Sequence, residues 1–218
     1  MALSRSVWHI ALCASTLMGF GMTSVRAADE VDTPPPYAYQ DFRMGIIGSP
    51  SPTVRQDDQN WDGDSRGYRF EATYLCGSAP FNDIHGTVYG LRASLGTYDV
   101  TSRDDTVGQD LTQVMVDVCY GLHYGIVQTD ALRGFAELLP YVGVGFSNMD
   151  LVYDGEHKAR IGAAYEAGFR AGAYLTEHQW LAGLTVGYVY GMSKISADEE
   201  VTLRTNGFQF GGEFGYRF

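Results

Sequence analysis

Five arginines and five carboxylates recur opposite the apolar positions of alternating stretches: Arg43, Arg69, Arg92, Arg170 and Arg217 against Glu71, Asp117, Glu137, Glu166 and Glu213. Carboxylates can serve as acids, bases or ligands. An equal number of guanidiniums at matching positions points first to pairing, because charges brought into one enclosed space must pair or bear a heavy desolvation penalty. His123 also lies opposite the apolar positions, near Asp117. Acid–base work there would need a nucleophile and an orienting group at one site, and no serine or threonine is clearly placed beside it. His85, His157 and His178 fall in turns or loops without metal-ligand spacing. A sharper string is Asp58-Gln59-Asn60-Trp61-Asp62-Gly63-Asp64. Its alternate oxygen ligands and turn-making glycine match the first half of a calcium loop, but the twelfth position is Arg69 where a glutamate is required. Asp58, Asn60, Asp62 and Asp64 are thus a candidate cation site, weighed against an ordinary Asp/Asn/Gly turn cluster. No other metal or cofactor site is legible.

The elements that carry these residues are strands, since alternate side chains of a strand face opposite sides. The last dozen residues show the pattern best: Phe208, Phe210, Phe214, Tyr216 and Phe218 on one face, Gln209, Gly211, Glu213, Gly215 and Arg217 on the other. Working back, strands are expected near 39–48, 66–76, 86–98, 110–126, 135–147, 159–175 and 180–192. Each has an apolar face, with tyrosines on most, opposite a face of Gly, Ser, Thr and charge. Pro140 is awkward, because a closed wall has little use for a missing N–H; a bulge or the periplasmic rim would accommodate it. Polar segments at 49–65, 99–109 and 194–201, and the stretch 148–158, read as long loops, alternating with short turns at 77–84, 128–133 and 176–179.

Eight antiparallel strands with an apolar outside and a charged inside make an up-and-down transmembrane β-barrel. A soluble barrel would have to bury either the charged face or the aromatic one, and neither suits so small an interior. Eight strands enclose just enough room for side chains, so the ten charges should form a plug; a gated ion path through it is the alternative.

Targeting signals agree with export. Arg5 precedes an uncharged apolar stretch from Ile10 to Met22, and Val25-Arg26-Ala27 offers a cleavage site, so residues 1–27 read as a signal peptide. Residues 28–38, with Pro34-Pro35-Pro36, read as an extended periplasmic lead-in and 39–218 as the barrel. The whole chain has a formal charge of −11, and cleavage would deepen the negative balance. That argues against nucleic acid, which demands a basic patch. Cys76 and Cys119 fall on strands not expected to be neighbours, with opposite parities, and read as unpaired thiols.

The closing alternation ending in Phe218 resembles the small outer-membrane barrels of the OmpA-type and OmpX/Ail-type families, over nearly the whole mature chain. The resemblance implies residence in a Gram-negative outer membrane, with lipid and lipopolysaccharide as neighbours. It also implies an assembly signal in Phe214, Tyr216 and Phe218 for the barrel-assembly machinery. It further implies a surface-binding or structural role through acidic extracellular loops: adhesion, defence resistance or envelope integrity; no peptidoglycan-binding domain is expected to follow, because the chain ends with the barrel. Two alternatives stand beside it. One is a small channel. The other is an envelope enzyme acting on lipid A, whose His-x-Ser-Asn string is nearest to Gly145-Phe146-Ser147-Asn148, with glycine where the histidine belongs.

Overall fold

The computed structural model describes residues 39–56, 59–62, 67–77, 85–101, 108–129, 132–153, 156–196 and 200–218. Pro35–Phe218 forms one compact unit; residues 1–38, read from sequence as signal peptide and lead-in, lie outside the described residues. The strands are β1 (Tyr39–Ser49), β2 (Thr53–Gln56), β3 (Gln59–Asp62), β4 (Gly67–Gly77), β5 (His85–Thr101), β6 (Gly108–Gln128), β7 (Leu132–Tyr153), β8 (Glu156–Glu177), β9 (Trp180–Ser196) and β10 (Glu200–Arg217). Eight of them, β1 and β4 to β10, pair antiparallel in chain order, and β1 closes the ring on β10 with Asp41 opposite Arg217 and Gly48 opposite Phe210.

The outside is what lipid requires. Met44, Phe70, Leu91, Val118, Val142, Ile161, Leu184 and Phe210 are all more than half exposed, which in water would be an aggregation surface. At the edge of this band where the chain ends, Trp180 stacks on Phe214 at 5.2 Å and meets the edge of Tyr216 at 5.1 Å. Towards the other edge, Phe208 packs edge-on to Tyr188 at 5.2 Å. These are the two aromatic girdles of a membrane barrel.

Three expectations need correction. The described residues of the segments read as long loops are largely strand: β6, β7 and β8 are 21, 22 and 22 residues long, and residues 154–155 alone separate β7 from β8 in sequence. Beyond the membrane the outer face of a strand meets water and no longer has to be apolar, so the alternation that marks the spanning part fades and the sequence reads as loop. The segment 49–65 likewise contains a hairpin, β2 and β3, joined to β10 with Val201 opposite Gln56 and Arg204 opposite Thr53.

Pro140 is neither at the rim nor in a bulge. It faces outward in mid-wall opposite Phe169. Pairing of β7 with β6 lapses between Cys119–Tyr141 and Leu122–Leu138 and resumes in the same register, as a strand lacking one donor would show. The one register shift on this seam is between Gly125 and Val127, which turns both Ile126 and Val127 outward.

Candidate functional site

The lumen is the only place where chemistry-bearing groups converge among the described residues. It is organised in layers. Nearest the chain ends, Arg43 donates to Glu137 through Nη1 at 2.6 Å and Nη2 at 2.9 Å, and to Asp41 at 2.6 Å. Arg217 donates to both oxygens of Asp41 at 2.6 and 2.7 Å. His123 Nδ1 lies 3.3 Å from Glu137 and 3.1 Å from the Tyr39 hydroxyl, its ring 4.6 Å from Phe135. The imidazole is therefore engaged with Glu137, not Asp117, across the β6–β7 ladder.

The second layer holds Arg69, Arg92 and Arg170 with Glu71, Asp117, Glu166 and Glu213. Arg69 grips both oxygens of Glu166 at 2.8 Å. Arg92 donates to Asp117 at 2.7 Å and to Glu166 at 3.1 Å, with its guanidinium 3.8 Å from the Tyr141 ring centre. Arg170 bridges Glu71 and Glu213. Tyr174 ties the layers together: its hydroxyl donates to Glu213 at 2.6 Å and its ring lies under Arg43 at 4.3 Å.

All ten side chains singled out from sequence thus point inward and are buried. Reading by pattern missed Asp41, two residues before Arg43 at the same parity, although that spacing was enough to find it. With Asp41 the buried count is six carboxylates against five guanidiniums. The layer nearest the chain ends is balanced two against two. The second has four carboxylates and three arginines, so the excess negative charge belongs to it. There Asp117 Oδ1 is buried without a hydrogen-bond partner among the described residues.

Pattern reading also missed the apolar lids on this plug. Tyr98, Leu111, Met149, Ile195, Val201 and Leu203 pack inside the far end, and Phe135, Tyr174 and Leu181 inside the end near the termini. A rule of polar side chains inward hides them. The cavity among Arg43, Arg92, Cys119, Tyr141 and Arg170 has a volume of about 10 Å³, room for no more than one water. Cys76 and Cys119 are free and buried. In planar bilayers the purified barrel is expected to show no resolved conductance steps; regular steps would mean the plug opens.

The pieces of the lipid A string do not assemble. Ser147 is buried, hydrogen-bonded to Ser193 at 2.8 Å and within 3.4 Å of the Gln113 amide. Gln113 and His123 are ten positions apart on β6, so the hydroxyls and the imidazole are separated by about 33 Å along the strand. A side chain at Gly145 would meet the Val114 carbonyl at 1.9 Å, which leaves no room for the missing histidine. For the cation string, Asp58 and Asp64 lie outside the described residues. Asn60 and Asp62 are on β3, opposite Arg55 and Thr53, so the backbone is extended where a calcium loop would turn.

Residues 15–218 match the family model described as outer membrane protein beta-barrel domain. The chain belongs to that family. Like its family, this barrel resides in the bacterial outer membrane. Among solved structures it is similar to Ail, the attachment invasion locus protein of Yersinia pestis, at 18% identity and a TM-score of 0.38, covering 84% of this chain and 99% of that one. It is similar to Neisserial surface protein A at 11% identity and TM-score 0.37, over 78% and 95% of the two chains. The N-terminal β-barrel domain of Pseudomonas aeruginosa OprF matches at 17% identity and TM-score 0.30, over 82% and 97%. No curated protein matches the chain by sequence.

Proposed function

We propose that this barrel is a closed, non-enzymatic scaffold whose work is done at the rim it holds above the outer leaflet, as a surface-binding protein. One observation carries the reading. A strand needs about 9–11 residues to cross the membrane, whereas β7 and β8 each have 22. Half of each is built beyond what the bilayer demands, and the β2–β3 hairpin is stitched onto the same rim. Function gathers on segments that a rigid scaffold presents, and a sealed lumen leaves the rim as the place for it. The rim sequence is acidic: Asp57, Asp58, Asp62, Asp64, Asp99, Asp104, Asp105, Asp110, Asp150, Asp154 and Glu156 outnumber their basic neighbours. A basic partner surface is the complement. Lipopolysaccharide surrounds the wall below, and the barrel-assembly machinery inserts the chain through its closing aromatic strand.

The test removes 53–62 and 150–157 together and compares cells for attachment to extracellular matrix, survival in serum and detergent resistance. Attachment or serum survival should fall while detergent resistance stays. Loss of detergent resistance alone would make the role one of envelope integrity.

A further inference from the structure

Arg92 meets more negative charge than it can balance. Its Nε donates to Asp117 Oδ2 at 2.7 Å, its Nη2 donates to Glu166 Oε1 at 3.1 Å, and its Nη1 lies 3.7 Å from Glu71 Oε1. The Nε–H and the adjacent Nη2–H of a guanidinium run parallel, and that edge ordinarily receives both oxygens of a single carboxylate. Here it receives one oxygen from each of two residues, Asp117 on β6 and Glu166 on β8. Two carboxyl groups seated side by side on one edge stand about 3 Å apart, too close for both to be ionised.

The two are not equally held. Arg69 grips both oxygens of Glu166, so with Arg92 that carboxylate accepts three charge-assisted hydrogen bonds. Asp117 accepts one among the described residues, and its Oδ1 is buried with none. Gly143 faces Asp117 across the β6–β7 ladder, and a Cβ there would lie 1.8 Å from Oδ1. That oxygen is pressed onto the β7 backbone, which leaves no space between them for a water or a metal ion. The cavity beside the layer offers a balancing cation no place either: its volume is about 10 Å³, and Arg43, Arg92 and Arg170 all line it. The remaining charged and titratable groups of the layer are Arg69 and Glu71 from β4, Tyr141 from β7, Arg170 from β8 and Glu213 from β10.

We propose that Asp117 is a neutral carboxylic acid in the sealed barrel, its hydroxyl donating to Glu166 Oε1. The lumen then holds five ionised carboxylates against five guanidiniums. The proton comes from water as the chain folds, because an aspartate in the open chain has released it at neutral pH. Sealing the plug thus takes up one proton per chain. Its release sets two anions on one edge of Arg92, which makes this pair the point where the plug responds to its surroundings. The site is independent of whatever the rim binds.

The full chain is reconstituted in vesicles of ether-linked phosphatidylcholine, which carry no ester carbonyl, and its infrared spectrum is taken at about pH 8, where ordinary carboxyl groups are ionised. Wild type should show the carbonyl stretching band of a protonated carboxyl. Isotope-labelling the aspartate carboxyls should move that band, and labelling the glutamate carboxyls should leave it in place; this arm needs no variant. Asp117→Asn should abolish the band while keeping the heat-shifted electrophoretic mobility of a folded barrel. Absence of the band from wild type would overturn the proposal. A band that survives the substitution, or that moves with the glutamate label, would overturn the assignment to Asp117.

Discussion

Arg43→Met is expected to lower the unfolding free energy of the barrel by about 3–5 kcal/mol. Arg43 is 1% exposed and holds Glu137 with two hydrogen bonds and Asp41 with a third. Methionine fills much of the same volume but leaves Glu137 buried with His123 as its nearest cationic candidate. Removing one partner of a buried pair is costly because the other charge cannot return to water. Urea titration in lipid vesicles, followed by the emission of Trp180 against Phe214, measures the change. A loss below about 1 kcal/mol, the value of a solvent-exposed pair, would mean the lumen is wet.

A second pair of substitutions separates the two layers. Glu137→Gln should cost about 3 kcal/mol or more, because the layer of Asp41, Arg43, Glu137 and Arg217 is balanced and loses its balance. Asp117→Asn should change stability by no more than about 0.5 kcal/mol, the range of an ordinary tolerated substitution. The asparagine oxygen still accepts from Arg92, the excess negative charge of its layer is gone, and the amide brings a donor to the place where Oδ1 has no partner. The same titration reads both. Equal losses from the two would refute the assignment of the surplus charge to the second layer.

The membrane-spanning part of this fold was legible because lipid imposes a two-residue period on every strand. Arg69 and Phe70, or Glu213 and Phe214, declare their sides without help from tertiary contacts. Legibility stopped where that constraint stops. Asn148 to Tyr153 lies in β7, but the outer face there no longer has to be greasy and, of its described side chains, only Met149 packs inward among the apolar lid, so pattern alone read the segment as loop. Leu75, Val88 and Leu139 sit at the inward parity, where a strict rule expects polarity, and only the packed lumen shows why apolar groups belong there. Pro140 shows the limit in the other direction: the rule against proline in a wall is sound, and the wall accepts it by forgoing two residue pairs with β6. Pairing partners in the plug were beyond reach of sequence, since parity gives the side and not the height. His123 was read with Asp117 six residues along its own strand, when its neighbour is Glu137 on the next one.

The Asp41–Arg217 contact joins residues 176 positions apart, and this bears on the order of folding. Bringing such distant segments together is the slow kind of step, and no shorter contact can stand in for it. Until β10 docks, β1 and β9 are both open edges, ready to pair with another chain. Asp41 then lacks one of its two arginines and Glu213 is missing from the second layer, so water must stay inside. Sealing the lumen and removing the last open edge are one event, and a chain stalled before it is at once leaky and sticky.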